Sequence, residues 1–176
     1  MNTNRYIDGC QALYTDIKTF PESGKVEYAS IPMYRTEFLS EALKSDYDYL
    51  VYDFGTFTDQ GFQKISFLEK NIQVMVCGAK PNEIESAQQL LQSQYYRNVY
   101  YMFSFIPEAD NEDIKEMMGD RGVQTVFSKY QPDPFVYFSA TNKLYESFLI
   151  IQEKENSVQP GKQKRSFFKR GLKNGK

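Results

Sequence analysis

Apolar and polar positions along this chain fall into blocks, and between residues 47 and 153 the blocks switch repeatedly between two periods. Four short runs are rich in Val, Ile, Tyr and Phe and bounded by turn formers: Tyr47–Asp53 (YDYLVYD), Asn71–Cys77 (NIQVMVC), Asn98–Phe105 (NVYYMFSF) and Val123–Ser128 (VQTVFS). Side chains of these types suit a pleated, half-buried surface, so the runs predict four strands. Several are nearly continuous in apolar character, the pattern of strands covered on both faces.

Between the runs, apolar residues recur at helical spacing. Phe62, Ile65 and Leu68 follow Asp59, a candidate N-cap, while Ile84, Ala87 and Leu91 follow Asn82 and Glu85, which look like the start of a capping box. Ile114, Met117 and Met118 come together before Gly119 or Gly122 as the stop, and Leu144, Phe148 and Ile151 form a last stripe. Strand alternating with helix predicts an α/β domain with a mostly parallel sheet and helices on both faces. The first 45 residues are less regular. Lys25–Ile31 reads as a further strand, Arg35–Ser45 as a helix with Phe38, Leu39, Ala42 and Leu43 inward, and FPESGK as a turn. From Asn156 onward Ser, Gln, Pro, Gly and Lys dominate, which places a globular domain over 1–155 and a linker with a basic tail over 156–176.

Composition narrows the chemistry. A chain of 176 residues with 41% hydrophobic content suffices for one domain with a sizeable core. The sequence has no histidine, which removes Ser-His and Cys-His nucleophile pairs and the commonest transition-metal ligand. Its two cysteines, Cys10 and Cys77, are too few for a disulfide framework or a four-ligand zinc site. No run approaches the roughly 18 apolar residues of a membrane-spanning helix, and MNTNRYIDGCQ lacks the regions of a secretory signal. A cytoplasmic location is expected.

In an open parallel sheet, ligands bind outside the carboxyl ends of the strands. Asp53, Gly55, Gly78, Lys80, Pro107 and Glu108 fall at those ends and form the default site. Each also has a plainer reading: Asp53 as a turn-forming or helix-capping acid, QPDPF as a loop stiffened by two prolines, and the strand aromatics as core.

The order YDYLVYDFG, a helix, IQVMVCGAKPNEIESAQQLLQ, NVYYMFSFIPE and then YQPDPF before a final helix resembles the second half of the MinD/ParA-type P-loop ATPases. Within that superfamily it is most similar to the divergent TadZ-like branch associated with pilus assembly and polar localisation. The resemblance covers about Tyr47 to Ile151 and implies a reduced P-loop NTPase (Rossmann-like) fold. It also implies that Asp53 is the acid holding magnesium through water, that Gly55 opens the switch segment, and that Pro132 and Asp133 lie near a nucleotide base. The family's Lys-Gly-Gly-x-Gly-Lys-Ser/Thr loop has no counterpart in this sequence. Gly24-Lys25 and Gly161-Lys162 lack the glycine spacing and the following hydroxyl that would wrap phosphates. Ser104, Phe105 and Ile106 occupy the stretch where an asparagine near adenine is expected. No cofactor is therefore expected; ATP and magnesium would enter only if the chain were the second half of an ATPase whose phosphate loop lies elsewhere.

Charge is segregated. Of 21 basic residues, seven lie in Pro160–Lys176 with no acidic one, leaving residues 1–159 with 14 basic against 23 acidic, a net of −9. In the tail, Phe167, Phe168 and Leu172 sit among Lys164, Arg165, Lys169 and Arg170, which reads as a weak, reversible contact for an anionic membrane surface. Useful attachment through so short a tail needs a dimer or a second contact. A disordered solubilising tail is the plainer alternative, and DNA a less favoured one, because the acidic body repels phosphate. These features lead to the expectation of a non-hydrolysing localisation or assembly partner rather than an enzyme. It would dock to a protein, either a complete ATPase of the same family or a second copy of itself, at the inner face of the membrane.

Overall fold

The structure, a computed structural model, describes residues 3–131 together with residues 135, 143 and 144. The chain divides into two units, Met1–Phe138 and Ser139–Lys176. In the second, the described residues Lys143 and Leu144 are helical. The expected stripe of Leu144, Phe148 and Ile151, and the expected domain end near residue 155, otherwise lie outside the described residues.

The first unit opens with helix α1 (Thr3–Leu13), which is not among the expected elements. The helix buries Ile7 and Cys10. An antiparallel three-stranded sheet follows: β1 (Lys18–Phe20), β2 (Lys25–Tyr28) and β3 (Ile31–Tyr34), with Val26 opposite both Thr19 and Met33. The single strand expected over Lys25–Ile31 is thus the first arm of a hairpin, because Ala29 and Ser30 both take positive φ and reverse the chain. FPESGK does form a turn, a 3₁₀ segment over Pro21–Ser23 ended by Gly24 at φ 59°. A Cβ on Gly24 would sit 2.0 Å from the Phe38 ring, so the turn needs glycine for both conformation and space.

Helix α2 (Leu39–Lys44) is shorter than the Arg35–Ser45 reading, because Thr36–Phe38 winds as 3₁₀. It buries Ala42 but leaves Leu39 and Leu43 exposed. Arg35 joins this region to α1, donating to the Asp8 carboxylate at 2.6 Å and to Gln11 at 3.1 Å.

A second sheet carries the strand–helix alternation. Strands β4 (Val74–Cys77), β5 (Tyr100–Ser104) and β6 (Thr125–Ser128) are parallel, in the order β4-β5-β6. The helices between them are α4 (Pro81–Gln92) and α5 (Asn111–Met118), with the short α3 (Lys64–Leu68) before β4. The fold is therefore α/β with a small parallel sheet. Three of the four expected strands are present.

The fourth, Tyr47–Asp53, is not a strand. Val51 is 97% exposed, which no covered strand would tolerate. Side chains rather than ladder bonds anchor this segment. Tyr47 shares a hydrogen bond with the Tyr34 hydroxyl at 3.0 Å, Lys70 lies over the Tyr52 ring, and Phe54 meets Phe67 edge to face.

Register puts Met75, Cys77, Tyr101, Phe103, Thr125 and Phe127 on one face of the parallel sheet. That face holds the core, with Tyr101 and Phe103 fully buried against Phe67, Leu90, Ile114 and Met118. Burial of each such side chain is worth about 1.5–3 kcal/mol. Both crossovers run the same way across the sheet, so right-handed connections place α4 and α5 together. Helices are expected on both faces; among the described residues α4 and α5 cover this one. On the other face Val76 remains 65% exposed.

Candidate functional site

The carboxyl edge of the parallel sheet is where the sequence places its candidate residues. Asp53 is exposed, and its Oδ1 accepts a hydrogen bond from the Gly55 amide at 2.9 Å. Gly55 has φ 76°, a conformation glycine adopts without steric cost. Together they make an Asx-type turn, the plainer of the two roles weighed for Asp53. Among the described residues, no group of three His, Cys, Asp or Glu side chains is arranged to hold a metal ion. Pro132 and Asp133 lie outside the described residues, as do tail residues Lys164, Arg165, Phe167, Phe168, Lys169, Arg170 and Leu172.

The turn from β4 into α4 also differs from the sequence reading. Pro81 is the first helical residue, and Glu83 rather than Glu85 reaches back, accepting from the Lys80 amide at 3.0 Å. An anion at a helix start is favoured by the exposed amides and the helix dipole. Here the chain's own carboxylate takes that position. Next to it, burial and the Glu83 charge push the Cys77 thiol up to about 11, so Cys77 is protonated and unreactive at neutral pH. Both cysteines are free thiols.

Three pairs join the ends of β5 and β6. Ser104 and Ser128, opposite each other in register, share a hydroxyl hydrogen bond at 2.8 Å. Beyond them the Phe105 and Tyr130 rings lie 5.7 Å apart, and Lys129 meets Glu108 at 3.0 Å. Strand alternation would send Phe105 to the buried face with Tyr101 and Phe103. Instead it takes φ 62°, leaves the ladder, and stands 76% exposed. For a residue with a Cβ this backbone costs about 1–2 kcal/mol. Its ring is thus held in solvent at a cost, on the edge where parallel sheets meet their ligands. Tyr130 is 69% exposed beside it.

Sequence reasoning named Pro107 and Glu108 on this edge but missed Phe105 and Tyr130. No local signal marks a left-handed phenylalanine, and an aromatic ending a strand reads as core. Comparison of the chain with protein-family models, with curated proteins and with solved structures finds no match. No helix among the described residues is long and apolar enough to cross a membrane.

Proposed function

We propose that this protein is a non-hydrolysing localisation or assembly factor that works by binding, with the Phe105–Tyr130 edge as its contact surface and a second copy of the chain as its partner. The observation that carries the reading is the exposed, left-handed Phe105 beside Tyr130. Exposed aromatics ringed by polar groups are the usual anchors of protein contacts. Glu108 and Lys129 supply one charge of each sign beside the rings. Under a two-fold axis such a rim complements itself, since each copy can offer its lysine to the other's glutamate.

Pairing also gives the basic tail a use. One tail with three apolar and a few basic side chains binds an anionic surface weakly, whereas two tails on one dimer bind with avidity. On this reading the fold is a reduced P-loop NTPase scaffold of the MinD/ParA type, TadZ-like, that has kept the parallel sheet and gives up nucleotide chemistry. The Asp53 turn supports that view, since it gives a plain structural use to the residue the resemblance would assign to magnesium.

Sedimentation velocity of the full chain over a wide concentration range tests the proposal, run in parallel with Phe105→Gly and with flotation on vesicles containing phosphatidylglycerol. A reversible dimer that Phe105→Gly converts to monomer, with weaker flotation, is expected. A wild-type chain that stays monomeric throughout, or a dimer indifferent to Phe105→Gly, overturns it.

A further inference from the structure

At the other end of the sheet, the segments entering β5 and β6 border a cleft of about 500 Å³, a size suited to a small molecule. Leu91 at the end of α4 and the exposed Val123 give it an apolar side, with Met118 at the end of α5 almost wholly buried behind them. Arg97 and Asn98 approach from the segment before β5, and Asp120 and Arg121 from the segment before β6.

The two arginines are unusual here. Residues 1–159 carry a net charge of −9, yet neither guanidinium enters an ion pair among the described residues, although Asp120 lines the same cleft. The Nε–H of Arg121 is buried and has no hydrogen-bond partner. A buried donor on a charged group is costly to leave unmet, and the guanidinium that carries it borders the cleft with no anionic partner among the described residues. Guanidinium forks match the oxygens of phosphate in geometry and charge.

We infer that this cleft binds a small organic phosphate, its phosphate group held by Arg97 and Arg121 and its apolar portion laid against Leu91 and Val123. Two cations facing one carboxylate favour an anionic head, and Asn98 adds an uncharged donor at the same mouth. The apolar side selects against bare phosphate. The site stands apart from the Phe105 edge, at the opposite ends of the strands, and does not depend on self-association.

Titration calorimetry of the full chain with phenyl phosphate and with inorganic phosphate tests this, using Arg97→Gln and Arg121→Met as variants. Arg97 is exposed, so its replacement leaves the fold intact and keeps the test interpretable. Phenyl phosphate should bind more tightly than inorganic phosphate, and each variant should weaken it at least about tenfold, the loss expected for a charge-assisted bidentate pair. Without ligand, Arg121→Met should melt at or above the wild-type temperature, because it removes an unmet buried donor; a purely structural arginine would lower it. Absence of phenyl phosphate binding, or binding unchanged in both variants, overturns the inference. A response only to phosphatidate vesicles that is lost in Arg97→Gln would assign the phosphate to a lipid headgroup and overturn the soluble ligand.

Discussion

The Asp53 carboxylate accepts a hydrogen bond from the Gly55 amide two residues on, at 2.9 Å, across a glycine with φ 76°. The turn uses the acid as an acceptor and the glycine as a hinge. Asp53→Ala should therefore destabilise the chain by about 0.5–1.5 kcal/mol, the net worth of one hydrogen bond, while Asp53→Asn, which keeps the acceptor, should cost much less. Gly55→Ala should cost about 1–2 kcal/mol for the left-handed backbone. Urea unfolding measures all three. Equal losses for Asp53→Asn and Asp53→Ala would show that the charge, not the turn, matters.

Cys77 offers a pH signature. Its thiol is raised from 9.0 to about 11 by burial first and by the Glu83 charge second. The raised value favours the neutral form, so the native thiol contributes stability that is complete below pH 9 and lost as pH rises toward 11. The contribution is on the order of 2–3 kcal/mol, at about 1.4 kcal/mol per unit. Native protein should react with iodoacetamide near pH 8 roughly a hundredfold more slowly at Cys77 than unfolded chain does, following the thiolate fraction. Mass spectrometry of the alkylated peptide reads this out, and equal rates would contradict it.

Phe105 should show stability and binding moving in opposite directions. Phe105→Gly relieves a left-handed backbone and gives up a ring that is 76% exposed. A gain of about 0.5–1 kcal/mol in the urea unfolding free energy of the monomer is expected. Destabilisation by this substitution would mean that the ring packs onto its own domain.

Gly24 should be among the least tolerant positions in the antiparallel sheet. An added Cβ meets Phe38 at 2.0 Å and the backbone sits at φ 59°. Gly24→Ala should cost about 2–4 kcal/mol from strain and overpacking together. Combining it with Phe38→Ala should recover the steric part and leave the backbone part. Full recovery in a thermal melt would show that the conformation itself is free.

The parallel sheet was legible because its signals are local. Val74, Val76, Tyr100, Tyr101 and Phe103 are β-formers in short runs, and the stripe of Ala87 and Leu91 and that of Ile114 and Met118 have helical period. Gly119 does end α5 as read. The misreadings arise where a local signal competes with a distant contact. YDYLVYD has strand composition, but Tyr47, Tyr52 and Phe54 are occupied by Tyr34, Lys70 and Phe67, while Tyr49 and Val51 stand in solvent and the backbone has no ladder. Ile65 falls on the expected stripe of α3 yet is 74% exposed, because the five-residue helix turns Phe67 inward instead.

The sequence by itself determined the elements whose residues need only their near neighbours: three β-forming runs, two amphipathic helices, the turn at Pro21–Gly24 and the segregation of basic charge into the tail. Tertiary structure alone decided what depends on partners far along the chain. It brought Phe105 beside Tyr130 and set Arg97 and Arg121 around one cleft. The physical reason is that propensity and period report how a residue suits its own backbone, whereas a site is a meeting of side chains from different crossovers. That meeting is set by strand order and register, which only the packed core fixes.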